Sequence, residues 1–368
     1  MYIKKIKINK FRVLEDIEVR FQGPDLSAVE EKRGNGNVVN VIAGVNGTGK
    51  TSFLESIFYV FQNINGLPVI NVDRNFYDTD LTVVNDDVGL GGDGRVVWVD
   101  SRQSFKYEAK IKLPLGSFVK VDPGAVLGNA EAYIKEFVVR NALSSRSSDP
   151  VERINLAVEK FNELFSNVHI LTKLSGLDGE QGSGLNRPLF ENARGGKVTI
   201  QQLSDGEKQL YGRVISLMLI APNNSVVLID EPEIALHPAW QQKIMQIYSR
   251  IGTNNQFIVA THSPQVIRSI PYKNRIILSK QGGKIQPVYF DQPPSGVDVN
   301  SILSEVMGAD PIPANVLNLY QEYRGFIESG QEQSEGAQSV RSKLLEYEGE
   351  HSAFMQEMNF LVELRDAA

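Results

Sequence analysis

The sequence predicts an α/β protein with a mostly parallel core sheet, and three observations carry that expectation. From residue 197 onward, short apolar runs alternate with segments of helical period, the pattern of parallel strands covered by helices on both faces. Upstream, the apolar run Val38–Ala43 enters a glycine-rich turn and then a helix-like stretch, so strand, loop and helix follow in order. Beyond the Pro293-Pro294 pair the chain reads as helices only.

Alternating apolar and polar residues predict strands at 2–10 and 16–21, an N-terminal antiparallel β-subdomain. A charged excursion, Glu30 to Gly36, precedes the strand Val38–Ala43, and a helix follows to about residue 63. Residues 66–94 read as loop, and 95–100 with 105–112 as another strand pair. A helical insertion is expected over about 129–196, with helices at 130–143 and 150–165 and a Gly- and Asn-rich loop at 176–196. Next come strands at 198–200, 225–229, Gln256–Ala260, 275–279 and 285–290, with helices Asp205–Ile220 and 238–251 between them. The expected division is a large α/β domain over 1–295 and an acidic helical tail over 296–368, with helices at 299–307, 314–327, 337–347 and 354–364. No internal repeat or sustained heptad run is visible.

Composition narrows the function. With 368 residues, 42% of them hydrophobic, the chain can bury one large core or two modest ones. No apolar run approaches the roughly 20 residues that span a bilayer, and Met1 leads directly into a strand pattern, so a soluble cytoplasmic protein without membrane contact is expected. The absence of cysteine excludes disulfides, thiolate metal sites and cysteine nucleophiles. Four widely separated histidines argue against a zinc nuclease or protease site. The net charge of −6 is uneven: residues 296–368 hold 13 acids and 4 bases, a local −9, while the rest carries +3. The acidic end reads as a solvated or partner-facing module, and the remainder is far from a polycationic nucleic-acid binder.

The strongest motif is Gly44-Val45-Asn46-Gly47-Thr48-Gly49-Lys50-Thr51, a complete G-x-x-x-x-G-K-[ST] loop followed by Ser52 at a helix start. Its glycines let backbone N–H groups turn toward phosphates, Lys50 supplies a point charge, Thr51 offers a hydroxyl to Mg²⁺, and the helix points its positive end at the same place. A second motif, Val226 to Pro232, sets Asp230 and Glu231 at the carboxyl end of a buried strand, where ligands collect in open α/β sheets. Asp230 can reach the Mg²⁺ shell and Glu231 can polarise a water. The third, Leu203-Ser204-Asp205-Gly206-Glu207, offers an anion site at a helix start, although Ser204 as an ordinary N-cap explains the local pattern equally well. The fourth is Thr261-His262-Ser263-Pro264, whose histidine is either a phosphate or water contact or a packed polar residue.

In this order the four motifs resemble the ABC-type ATPases over roughly the first 290 residues. The run Asp230-Glu231-Pro232-Glu233-Ile234-Ala235-Leu236-His237-Pro238 followed by Thr-His-Ser-Pro resembles the branch that includes the OLD, RecF and SMC proteins. The resemblance implies an ABC-ATPase fold, Mg²⁺ and ATP as cofactors, and head-to-tail dimers. ATP would lie between Lys50 of one subunit and Ser204, Gly206 and Glu207 of the other. It assigns Thr51 and Asp230 to the metal, Glu231 as hydrolytic base and His262 as γ-phosphate sensor, with Leu236-His237 at the dimer seam. Asp205 replaces a more usual glycine, and the Mg²⁺-contacting glutamine is unassigned between Gln103 and Gln62.

The missing coiled-coil arms and the short acidic tail resemble stand-alone ATPase subunits of bacterial anti-phage systems. Chief among these are PtuA subunits of Septu and of Septu-like retrons, with AriA of PARIS the weaker match. That implies a separate nuclease partner, HNH-type favoured and Toprim possible, with nucleic acid reached directly or through the complex. A RecF-like DNA-maintenance ATPase is the alternative. The literal G-x-G-x-x-G at Gly89–Gly94 precedes a strand and reads as a loop, and Lys4, Lys5, Lys7, Lys10 and Arg12 read equally as a phosphate track or a solvated strand face.

Overall fold

The computed structural model describes residues 2–24, 34–64, 82–84, 96–99, 118–121, 123–166, 172–178, 187–292, 299–309 and 312–366. It divides into two compact units, Met1–Ile302 and Leu303–Ala368.

The first unit is organised by a seven-stranded sheet in the order β13-β12-β3-β11-β10-β5-β6. These strands are β3 (Val38–Ala43), β5 (Val96–Val99), β6 (Phe118–Val121), β10 (Val226–Asp230), β11 (Gln256–Ala260), β12 (Arg275–Gln281) and β13 (Lys284–Val288). All neighbours run parallel except the β12–β13 pair. Every residue of β10 and β11 is buried, as strands covered on both faces require. Their register sets the site: Ile42 lies opposite Ala260, and Ala260 opposite Asp230, so the carboxyl ends of β3, β11 and β10 finish at one level.

A second sheet, β2-β1-β4, is antiparallel and comprises β1 (Lys5–Phe11), β2 (Leu14–Arg20) and β4 (Thr82–Val84). Two fully buried amides stitch it to the core sheet. Gln256 exchanges hydrogen bonds with the backbone of Ile3 at 2.6 and 2.9 Å, and Asn40 does the same with Gln22 at 2.9 and 3.1 Å. Two lysines of this sheet meet acids across the strands, Lys5 with Glu18 at 2.6 Å and Lys10 with Glu15 at 3.4 Å.

Several expectations need correction. Residues 66–94 contain the strand β4, whose three-residue β-branched run is too short to stand out among polar and glycine neighbours. Val96–Val99 does not head a local strand pair but joins the core sheet between β10 and β6; residues 105–112 lie outside the described residues. The 176–196 loop instead carries part of a three-stranded sheet of β7 (Lys173–Leu177), β8 (Pro188–Glu191) and β9 (Lys197–Val198), with Gly176 at a β-bulge. The helix at 238–251 splits into α5 (Pro238–Gln241) and α6 (Ile244–Tyr248), because Lys243 and Gln246 bond three residues back, to Trp240 and Lys243.

Among the described residues the unit also contains the helices α1 (Lys50–Ile64), α2 (Pro123–Ser144), α3 (Pro150–Glu163), α4 (Asp205–Ile220) and α7 (Pro264–Arg268). Asp149 caps α3 by accepting from Val151 N, with Pro150 at the first helical position. No helix among the described residues is long and apolar enough to cross a membrane.

The second unit packs α8 (Ala314–Glu328), α9 (Glu335–Tyr347) and α10 (Ala353–Asp366) around Val316, Tyr323, Ile327, Val340, Leu344, Met355 and Met358. Tyr320 stacks on Phe354 with ring centroids 3.8 Å apart. The helical period of α8 therefore serves this small core. The helix expected at 299–307 is a single turn, Val299–Ser301, running into a π-helical Ile302–Val306.

Candidate nucleotide site

The loop joining β3 to α1 exposes Val45, Asn46 and Gly47 and buries Thr48 and Lys50. Gly47 and Gly49 have φ of +82° and +81°, the left-handed region that glycine enters without steric cost. A Cβ at Gly49 would also stand 2.7 Å from Val13 Cγ2, so the β1–β2 turn closes on the loop from outside. Thr48 Oγ1 donates to Val45 O at 2.9 Å, bracing the turn, and Thr51 and Ser52 in the first turn of α1 are half-buried.

Lys50 reaches back across the loop, its ammonium donating to Gly44 O at 2.9 Å and Val45 O at 3.1 Å. Burial lowers its pKa to about 8, against the opposing pull of Glu231, Asp230 and Glu233. The core sheet thus brings the lysine of the loop into the field of the β10 carboxylates. Thr51 Oγ1 lies 3.1 and 3.2 Å from the two oxygens of Asp230, joining the loop helix to that strand. A hydroxyl and a carboxylate side by side at a helix N-terminus, next to a buried ammonium, are the hard-oxygen and cationic groups that fit a Mg²⁺-nucleotide.

Glu231, next along, adopts a left-handed φ of +47°, uncommon for a side chain with a Cβ and found where structure over-determines the backbone. Its N–H still continues the ladder, donating to Ala260 O at 2.9 Å. Its carboxylate stands 3.1 Å from His262 Nε2. Burial raises the Glu231 pKa to about 8, helped by Glu233 and Asp230 and opposed by Lys50, while burial and the Lys50 charge lower that of His262. Lys50, Thr51, Asp230, Glu231 and His262 thus form one constellation at the carboxyl edge of the sheet.

Two buried charged residues escaped the motif reading. Arg213, in the third turn of α4 and 1% exposed, donates to the carbonyls of Pro232 and of Glu231, the latter at 3.3 Å. Glu233, 8% exposed, accepts hydrogen bonds from the segment after β11. A third acid only three positions beyond Asp230 was the available signal for Glu233; Arg213 had none beyond being a charge within an apolar helical stretch.

Ser204, Gly206 and Glu207 form a second cluster at the start of α4. Ser204 is the N-cap in a capping box: Glu207 N donates to Ser204 Oγ at 3.3 Å, and Ser204 N donates to Glu207 Oε2 at 3.1 Å. Glu207 uses its other oxygen on Thr172 Oγ1, 2.7 Å away, while Asp205 is exposed. A Cβ at Gly206 would come within 3.1 Å of Trp240 and 3.2 Å of Ala235 O, so close packing calls for glycine here. In the segment between, Leu236 is buried and His237 caps α5 by accepting from Ala239 N at 3.2 Å. The side chain of Gln62, all of Gln103 and the Gly89–Gly94 stretch lie outside the described residues.

Two family models match the chain. Residues 1–93 fit one described as "AAA ATPase domain", and residues 126–268 fit one described as "AAA domain, putative AbiEii toxin, Type IV TA system". The Retron Ec83 probable ATPase of Escherichia coli is 33% identical over 46% of this chain and 33% of its own length. Septu protein PtuA of Bacillus thuringiensis is 24% identical over 74% of this chain and 79% of its own. The chain is thus similar to the retron and Septu ATPases over these stretches. It spans about a third of the retron proteins' length, the Vibrio cholerae Retron Vc95 probable ATPase being covered over 31%. Among solved structures, the SMC head domain from Thermotoga maritima aligns at TM-score 0.41 and 15% identity, covering 79% of this chain and 100% of that one.

Proposed function

We propose that the chain binds and hydrolyses Mg²⁺-ATP in a site that a second copy completes, and that it serves as the ATPase subunit of an anti-phage defence complex. The observation that carries the ATPase reading is the convergence of Lys50, Thr51, Asp230, Glu231 and His262 where β3, β10 and β11 end. Bound between Thr51 and Asp230, Mg²⁺ would supply charge that screens the transferring phosphate oxygens. Lys50 then exchanges its carbonyl partners in the loop for phosphate, a stronger charge-assisted contact. Glu231 takes the proton of the attacking water, and His262, 3.1 Å from it, orients that water or receives the proton onward. Burial and the neighbouring acids raise the proton affinity of the Glu231 carboxylate, the direction that strengthens a general base. The start of α4 in a second copy would close the site, Ser204 and the backbone after it facing the phosphates.

The defence role is supported by the similarity to Septu PtuA over most of both chains. In this reading nucleotide-dependent dimerisation controls a separate nuclease of HNH type, PtuB-like, because the nuclease chemistry is supplied by another chain. The test is ATP turnover by the purified chain with and without DNA, and with and without the product of the neighbouring gene. Turnover that responds to the partner protein, with nuclease activity appearing only in the mixture, is expected. Strong stimulation by DNA alone, with no partner effect, would transfer the assignment to the RecF-like alternative.

A further inference from the structure

One buried side chain holds the ends of two neighbouring strands together. Glu233 Oε1 accepts from Thr261 Oγ1 at 2.6 Å, His262 N at 2.7 Å and Ser263 N at 2.9 Å. The arrangement follows from register: β10 and β11 are parallel with Asp230 opposite Ala260, so the turn after Asp230 faces the first residues after Ala260. A carboxylate buried to this degree is costly unless donors satisfy it, and here three converge on one oxygen.

A second tie reinforces the first. Ser263 Oγ donates to Gln241 Oε1 at 2.6 Å, and Gln241 Nε2 donates to Leu236 O at 2.9 Å, again bridging the segments after β11 and β10. His262 is consequently held at two points, its N–H on Glu233 and its imidazole Nε2 3.1 Å from Glu231. Neither contact alone fixes the ring, since a backbone free to shift would carry the imidazole away from Glu231.

We propose that Glu233 is a positioning residue, whose carboxylate fixes the backbone of Thr261, His262 and Ser263 so that the His262 imidazole stays opposite Glu231. The inference deepens the ATPase reading above and rests on it for its kinetic consequence. Removing a purely stabilising buried acid would lower the melting temperature without acting through His262. A positioning residue acts through that histidine.

The experiment uses the full chain as wild type, Glu233→Ala, Glu233→Gln, His262→Ala and the Glu233→Ala/His262→Ala double variant. Amide hydrogen exchange at His262 and Ser263 is expected to rise about tenfold or more in Glu233→Ala, the loss of hydrogen bonds to a charged acceptor. Glu233→Gln, which keeps an acceptor oxygen but not the charge, should recover most of that protection. For turnover, Glu233→Ala should lower kcat roughly tenfold with KM for ATP changed less than about threefold, and the loss should vanish in the His262→Ala background. Unchanged exchange in Glu233→Ala, or a kcat loss that multiplies with that of His262→Ala, overturns the proposal. If Glu233→Ala does not fold, Glu233→Gln carries the same comparison with a smaller expected kcat loss of about threefold, which must likewise vanish beside His262→Ala. If the wild type releases no phosphate, the ATPase reading falls, while the exchange measurement still decides what Glu233 does.

Discussion

Glu231→Gln is expected to cut ATP turnover by roughly two to four orders of magnitude while leaving ATP bound, the scale of removing a general base. The amide keeps the shape of the carboxyl group and its approach to His262, 3.1 Å away in the native protein, but it cannot accept the proton of the attacking water. ATP should therefore persist on the variant, and a closed dimer should accumulate if closure precedes hydrolysis. Phosphate release gives the first quantity, and filter retention of labelled ATP with light scattering gives the others. Turnover within a few-fold of wild type would remove Glu231 from its assigned role.

Lys50→Ala should fail one step earlier. The ammonium is buried and held by two loop carbonyls, at 2.9 and 3.1 Å, and it counters the carboxylates of Asp230, Glu231 and Glu233. Removing it takes away the cationic phosphate contact and leaves that negative field unopposed, so affinity for Mg²⁺-ATP should fall tenfold or more, the equivalent of about 1.4 kcal/mol or above. Calorimetric titration of both proteins reads this directly. Equal affinities would mean that the β3–α1 loop is not the phosphate cradle.

The parts of the site written in local sequence were legible, and those made by folding were not. Gly47, Gly49 and Lys50 could be found because backbone conformation and charge at fixed spacing demand those residue types, and the structure gives both glycines a positive φ. β10 and β11 were legible because full burial leaves an unbroken apolar run. Glu233 and Arg213 make their contacts across the gaps between strands and from helix α4, with no periodicity to announce them. Ser204 marks an intermediate case. The same residues encode an N-cap and an anion site, and within one chain the cap is what the side chain makes. In the fold, β7 and β8 were missed because Gly176 and its glycine- and asparagine-rich neighbourhood read as loop, whereas the glycine sits at a bulge and Leu174 and Phe190 on the paired strands are buried.

The second unit shows the same limit from the other side. Its apolar residues were visible, but their use was not. Val316, Tyr323 and Ile327 are buried in the three-helix core, leaving Tyr347, Phe360 and Leu364 as the exposed large apolar side chains of that unit among the described residues.

In the proposed assembly two copies build each site, Lys50 and Glu231 coming from one and Ser204 from the other. Mixing Lys50→Ala with Ser204→Arg protein tests it most directly, because a mixed dimer joins both defects in one site and leaves its other site intact. Each variant alone should be inactive, and the equimolar mixture should recover up to about a quarter of wild-type phosphate release, half the dimers being mixed and each having one working site. Subunit exchange is verified by tagging one variant and capturing the other with it. No recovery in a mixture shown to contain mixed dimers, or full activity of Ser204→Arg alone, would contradict the shared site.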